Sequence, residues 1–169
     1  MELLDQHGES LHRLLGRLTR CEHVTGDQMQ ELFIRLSGAR GFAKAHNRYA
    51  YAWRTAANLA FEWRRKQKIT FESLEASAVS VGASQQTLDR MIVREQLDRV
   101  LEVTSGFDEL ARNVIVMRFI EQKSYQQIAE RLGKNPEYLR SVCSKALEQL
   151  RRIMNKEMSA YTKNEVNND

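Results

Sequence analysis

The segment SYQQIAERLGKNPEYLRSVCSKALEQL, Ser124 to Leu150, decides the fold of this chain. Ser124 stands three residues before Gln127, the spacing at which the hydroxyl accepts from a backbone N–H and the amide oxygen accepts from the cap's own N–H. Tyr125, Ile128, Ala129 and Leu132 recur at helical spacing and make one apolar stripe. Gly133 falls where that helix must stop and where positive φ is needed. Asn135 and Pro136 restart a helix, the first as a cap and the second at the position where a missing N–H costs nothing. In the helix that follows, Leu139, Val142, Ala146, Leu147 and Leu150 point inward, while Glu137, Tyr138, Arg140, Ser141, Ser144 and Lys145 point outward. A short helix, a glycine turn and a second helix with a polar, basic outer face form the helix-turn-helix pattern, whose second helix enters a major groove. The plainer reading is a helical hairpin in a bundle. The outer side chains are of the kinds that read base edges, which favours DNA.

Upstream, the spacing predicts further helices. Leu11, Leu14, Leu15 and Leu18 form an amphipathic stripe with Arg13, Arg17 and Arg20 opposite. His23 to Asp27 reads as a turn capped by Thr25 or Asp27, followed by a helix with Met29, Leu32, Phe33 and Leu36 inward and Gln30, Glu31 and Arg35 exposed. Ser37 to His46 reads as a loop around Phe42. From about Asn47 to Lys68 runs a long helix whose aromatics, Tyr49, Tyr51, Trp53, Phe61 and Trp63, cannot share one stripe. They fit a central helix buried on several sides. They equally fit a surface where rings take unstacked bases and Arg54, Asn58, Arg64 and Arg65 lie beside them.

Residues 69–87 are rich in Ser and Ala without apolar periodicity, so a flexible linker is expected, long enough for two domains to sit apart. Helices resume with Leu88, Met91, Ile92, Leu97, Val100 and Leu101 inward, then with Leu110, Val114, Met117 and Phe119. Residues 155–169 read as a polar tail that frays. The expected fold is all-α: two small helical domains, 1–68 and 88–154, joined by that linker, the second ending in the helix-turn-helix.

Composition narrows the function. Among 169 residues there is one proline, and no run of about 18 apolar residues, so long helices are easy and no membrane insertion is expected. The acidic, polar start MELLDQHGESLH is unlike a secretory signal, which points to the cytoplasm. Cys21 and Cys143 are distant and in helical patterns, so reduced thiols, buried or half-buried, are expected. The net charge of +4 is uneven. Arg54, Arg64, Arg65, Lys66 and Lys68 face one acid, Glu62, and a second basic cluster runs from Arg131 to Lys156. Two basic patches suggest two contacts with a polyanion. Cys21 and His23 lack the spacing of a four-ligand zinc site. With no phosphate loop or nucleophile motif, neither an enzyme nor a cofactor is expected.

In order and spacing these pieces resemble the sigma-70 family of RNA polymerase sigma factors, in the compact extracytoplasmic-function type that keeps only regions 2 and 4. Asp27, Gln30, Glu31 and Phe33 match one region 2 pattern. Asn58, Leu59, Ala60, Glu62, Trp63, Arg64, Arg65 and Lys66 match another. Ser124 to Gly133 matches the Ser-Tyr-x-x-Ile-Ala-Glu-x-Leu-Gly signature of region 4, and Leu139, Arg140, Ser141, Lys145 and Ala146 continue it. Gly26, Ala52, Glu62 and the stretch Ser105, Gly106, Phe107 depart from the family pattern.

The resemblance implies a bacterial initiation factor that binds core RNA polymerase, reads −35 and −10 promoter elements and promotes DNA opening. Asp27, Gln30, Glu31 and Arg35 would dock on the clamp helices of the largest polymerase subunit, with the flap as a second contact. Phe42, Lys44, Arg54, Asn58, Glu62, Arg64, Arg65 and Lys66 would serve the −10 element, where a flipped base costs a few kcal/mol to extrude. Glu137, Tyr138, Arg140, Ser141, Ser144 and Lys145 would read the −35 element. An anti-sigma factor that clamps both domains is the further partner implied. The alternative is a stand-alone helix-turn-helix regulator with an N-terminal sensing or dimerisation domain.

Overall fold

The computed structural model describes the backbone of residues 2–72 and 85–166, and the side chains of 5–67, 92–157 and 159. Most of the expected linker, and the side chains of Leu88 and Met91, lie outside the described residues. All regular structure described is helical, as the patterns predict. No helix among the described residues is long and apolar enough to cross a membrane.

The first half is built from α1 (Glu2–Thr19), α2 (Glu22–Gly38), the single turn α3 (Arg40–Ala43) and α4 (Arg48–Glu72). The stripe Leu11, Leu14, Leu15 and Leu18 is fully buried against Leu32 and Leu36 of α2 and against Trp53, Ala56, Ala57, Ala60 and Phe61 of α4. The alanines on α4 let the backbones approach, and the two large rings fill the space between. Helix α2 begins earlier than the HVTGD turn would have it. Thr25 is buried within it: its hydroxyl donates to the Cys21 carbonyl at 2.8 Å and pairs with the Thr19 hydroxyl at 3.1 Å. The hydroxyl thus closes the α1–α2 corner instead of capping, and Asp27 lies exposed inside the helix. Cys21 occupies the cap position and is exposed, not half-buried. Asn47 starts α4, its Oδ1 accepting from the Ala50 N–H at 2.8 Å.

The second half comprises α5 (Gln85–Ser105), α6 (Glu109–Ile115), α7 (Tyr125–Leu132) and α8 (Pro136–Val166). Asp108 caps α6, accepting from the Ala111 N–H at 2.9 Å. Residues Val116–Ile120 continue α6 as a wider π-helical turn. That turn shifts the register, so Phe119 is exposed where the apolar pattern put it inside, while Met117 stays buried. Ile92, also expected inside, is exposed near the start of α5. The α7–α8 hairpin follows the sequence reading closely. Ser124 and Gln127 form the reciprocal capping box, Gly133 ends α7 at φ 63°, and Asn135 Oδ1 accepts from the Glu137 N–H at 2.8 Å. The backbone of α8 stays helical to Val166 in place of a frayed tail, and Arg99 of α5 anchors that extension through Glu157.

The halves do not sit apart. Helix α4 packs against α5 and α6, and buried apolar residues of both halves form one continuous cluster.

Nothing lies within 4 Å of a Cβ built at Gly133, so its backbone conformation alone sets the cost of substitution. Gly133→Ala is expected to lower stability by about 1 kcal/mol in urea titration, and Gly133→Asn by less, because Asn tolerates the left-handed region.

Candidate nucleic-acid interface

The hairpin holds the start of α8 out to solvent. Leu139, Cys143 and Ala146 are buried on its inner side, and Glu137, Tyr138, Arg140, Ser141, Ser144 and Lys145 are all exposed on the other. The cap at Asn135 and the left-handed Gly133 fix where this face begins. The Arg140 guanidinium lies 5.4 Å over the Tyr125 ring and 3.8 Å from Glu137. Arg118 also lies over the Tyr125 ring, at 5.2 Å. Burial, with a hydrogen bond to Cys143 second, pushes the Tyr125 phenol above its ordinary pKa. The ring presents its π face to Arg140, a geometry that suits a planar guanidinium. Tyr125 was legible only as a stripe residue, since its role under Arg140 needs the turn between the two helices.

The row on α4 is arranged differently. Phe42 is half-buried against Tyr51, with ring centroids 5.8 Å apart, and Lys44 is exposed next to it. Arg54 is exposed but ion-paired with Glu109 at 3.1 Å. Asn58 Oδ1 accepts from Arg112 Nη2 at 3.0 Å. Arg65 is exposed and donates to the Ser105 carbonyl at 3.0 Å, and Lys66 is exposed at the same end. Arg64, expected at the surface, is only 8% exposed. Its Nε donates to the Leu18 carbonyl at 2.5 Å and its Nη2 to Asp98 at 3.0 Å, so it closes the end of α1 and ties it to α5. Burial lowers its pKa, and Asp98 opposes that shift. Glu62 is not part of this row. It pairs with Arg35 of α2 at 3.1 Å, and Arg35 also holds Glu31 at 2.8 Å. The bond to Glu31, ahead of Glu62, raises the Arg35 pKa.

On α2, Asp27 and Gln30 are exposed and Glu31 is half-buried. Beside them the sequence reading missed an apolar strip. Phe33, expected in the core, is 38% exposed, Ile34 is 64% exposed, and with Met29 and Gln30 they line a shallow groove. The signal was present as Leu32, Phe33 and Ile34, three consecutive apolar residues that one helical stripe cannot absorb.

Known families bear on both surfaces. Residues 3–69 match the sigma-70 region 2 profile and residues 105–152 the profile of sigma-70 region 4. The ECF RNA polymerase sigma factor SigX of Bacillus subtilis (strain 168) is 24% identical over 160 residues, covering 90% of this chain and 81% of that protein. The ECF RNA polymerase sigma factor SigE of Mycolicibacterium smegmatis is 28% identical over 162 residues, covering 94% of this chain and 62% of that protein. The hairpin that presents α8 lies in the region 4 match and the aromatic, basic helix α4 in the region 2 match. With both regions present in order, the chain belongs to the sigma-70 family, and it is a sigma factor of transcription initiation.

Proposed function

We propose that the outer face of α8 reads the −35 element through Tyr138, Arg140, Ser141, Ser144 and Lys145. In the same reading, α4 with the Phe42–Lys44 turn receives the opened −10 strand. What supports the first assignment most is one observation: a solvent-facing recognition surface whose Arg140 is already stacked on Tyr125. An arginine held in this way loses less rotamer freedom on meeting a guanine, the commonest bidentate partner of arginine. The second assignment draws on Arg54, Asn58, Arg65 and Lys66, which share α4 with the aromatic rings. The units that act are residues 1–68 for polymerase binding and DNA opening and 88–154 for −35 reading, joined by residues 69–87. The chain works by binding, without catalysis, in the cytoplasm where its polymerase operates. An anti-sigma partner would have to cover the α2 strip, the α8 face, or both.

Polymerase docking is assigned to the α2 face. Gln30 and Asp27 supply polar contacts, and Phe33 and Ile34 an apolar centre ringed by polar groups, the usual anatomy of a protein interface. Purified core polymerase, this protein and a library of promoters test the whole reading through specific initiation. If polymerase binding and specific initiation are both absent, a stand-alone regulator replaces it.

Arg140→Ala should lose about 1–3 kcal/mol of discrimination at a single −35 position, measured by competition binding of holoenzyme to point-mutated promoters. Tyr125→Leu should weaken the same position in part, whereas Tyr125→Phe keeps the ring and should not. An equal loss at every position would show that Arg140 contacts only phosphate. Phe33→Asp with Ile34→Asp should weaken core polymerase binding at least about tenfold, the scale of truncating an interface anchor. Both sites are exposed, so the helical circular dichroism spectrum should stay unchanged. Unaltered polymerase affinity would remove this strip from the interface.

A further inference from the structure

At the seam between the halves, α4, α6 and the end of α7 leave a crevice of about 570 Å³. That is the size of a small-molecule site, commonly about 300–1,000 Å³. Helical spacing brings its lining together. Tyr51 and Arg54 are three residues apart on α4, and Glu109 and Asn113 are four apart on α6, so each pair shares a helix face. Arg131 comes from the last turn of α7, and Lys134 follows the left-handed Gly133 that ends it. Asn113 is the feature that needs explaining. It is 2% exposed, and its Oδ1 has no hydrogen-bond partner among the described residues. A buried amide oxygen is nearly always paired, because leaving it bare forfeits the water it gave up on folding.

We propose that this crevice binds a nucleoside phosphate whose base carries an exocyclic amino group beside a ring acceptor. The carboxamide of Asn113 offers an acceptor and a donor side by side, the pair with which asparagine reads the N6 amino group and N7 of adenine. Tyr51, half-buried beside Phe42, adds ring surface, which takes a base without asking for particular hydrogen bonds. The crevice is separate from the α8 face and the α2 strip. Arg54 alone belongs both to it and to the proposed −10 surface.

The charge of the lining suits a phosphate. Three cations, Arg54, Arg131 and Lys134, stand against one carboxylate, Glu109. They are not equally free. Arg131 donates to Glu121 at 2.9 Å, and Glu121 also accepts from Trp53 Nε1 at 2.9 Å. The Arg131 guanidinium lies 5.0 Å over the Tyr49 ring as well, so it is a fixed cation whose donors are already engaged. Arg54 is held by Glu109 at 3.1 Å, but both side chains are more than a third exposed, and a pair so screened by water changes partners at little cost. A phosphate accepts from a guanidinium as a carboxylate does, so it can take the place of Glu109. Lys134 is exposed, and no ion pair holds it among the described residues. Arg54 and Lys134 are thus the phosphate ligands, with Arg131 as background charge. The buried amide and the two exposed cations set the base inward and the phosphate outward, where its remaining oxygens stay in water.

Isothermal titration calorimetry of the full chain tests this with AMP as probe, at about 0.15 M salt to screen loose surface attraction. AMP should bind with a Kd below about 1 mM, and adenosine and inorganic phosphate each at least about tenfold more weakly. Purine riboside 5′-phosphate, which lacks the amino group, should lose about tenfold against AMP, the scale of one hydrogen bond to a buried acceptor. Asn113→Leu should weaken AMP by a similar factor. Its thermal midpoint without ligand should stay level or rise, because the unpaired amide is gone. Lys134→Ala should also weaken AMP about tenfold, through loss of a charge-assisted contact. Lys156→Ala, at an exposed lysine of α8 outside the crevice, should leave AMP binding unchanged. No AMP binding tighter than about 1 mM overturns the proposal. So does equal binding of AMP and the amino-free analogue, a comparison made on the wild-type protein and decisive even where Asn113→Leu does not fold. A loss in Lys156→Ala as large as in Lys134→Ala marks a diffuse surface effect and overturns it too. Specific initiation is a separate readout, so failure here leaves the promoter reading standing.

Discussion

A buried or half-buried carboxylate must find donors for both oxygens, and in this protein that constraint falls on Glu121. Its two partners come from different halves of the chain: the indole of Trp53 on the long helix of the first half and the guanidinium of Arg131 on the first helix of the helix-turn-helix. Because Arg131 also rests on Tyr49, the four residues form one node in which charge, hydrogen bond and ring face are all used. A node of this kind holds the halves in one register, since a shift would leave a charge or an indole N–H unpaired away from water.

The same node explains how α4 can carry so many aromatic residues. Trp53 and Phe61 complete the core of the three-helix bundle, and Tyr49 and Tyr51, half-buried, border the seam. The central-helix reading of its sequence thus accounts for one part of the helix, and the nucleic-acid surface proposed for it would use another. Arg64 shows how far burial can redirect a basic residue. Sitting next to Arg65 in a basic run, it nevertheless turns inward to finish α1 and meet Asp98, because a helix turns about 100° between neighbours.

What could be read from the chain followed the range of the interactions involved. The capping box at Ser124, the stop at Gly133, the restart at Asn135 and Pro136, and the outward face of α8 depend on residues within four positions of each other, and all appear as the spacing predicts. The leucine stripe of α1 was equally local. The misread features depend on partners far away in sequence. Thr25 is a buried corner hydroxyl because Thr19 meets it, and Arg64 is buried because Asp98 waits for it. The extension of α8 persists with Arg99 bonded to Glu157. The closure of the two halves left no pattern at all, since Glu121 and Trp53 are 68 residues apart. Phe119 was lost to a π-helical turn, which changes the helical period on which stripe arguments rest.

The proposed recognition face of α8 is separate from what keeps α8 folded. Leu139, Cys143 and Ala146 anchor the helix, the cap fixes its start, and the six outward residues contribute nothing to the buried core. Substitutions there are close to neutral for folding, which exposed positions generally are. Sequence preference can therefore drift, or be redesigned, one side chain at a time without first finding a compensating change in the interior. Arg140 is the exception, since replacing it also strips one cation from the Tyr125 ring. Evolutionary retargeting of this protein would be expected to move through Ser141, Ser144 and Lys145 before it touched Arg140.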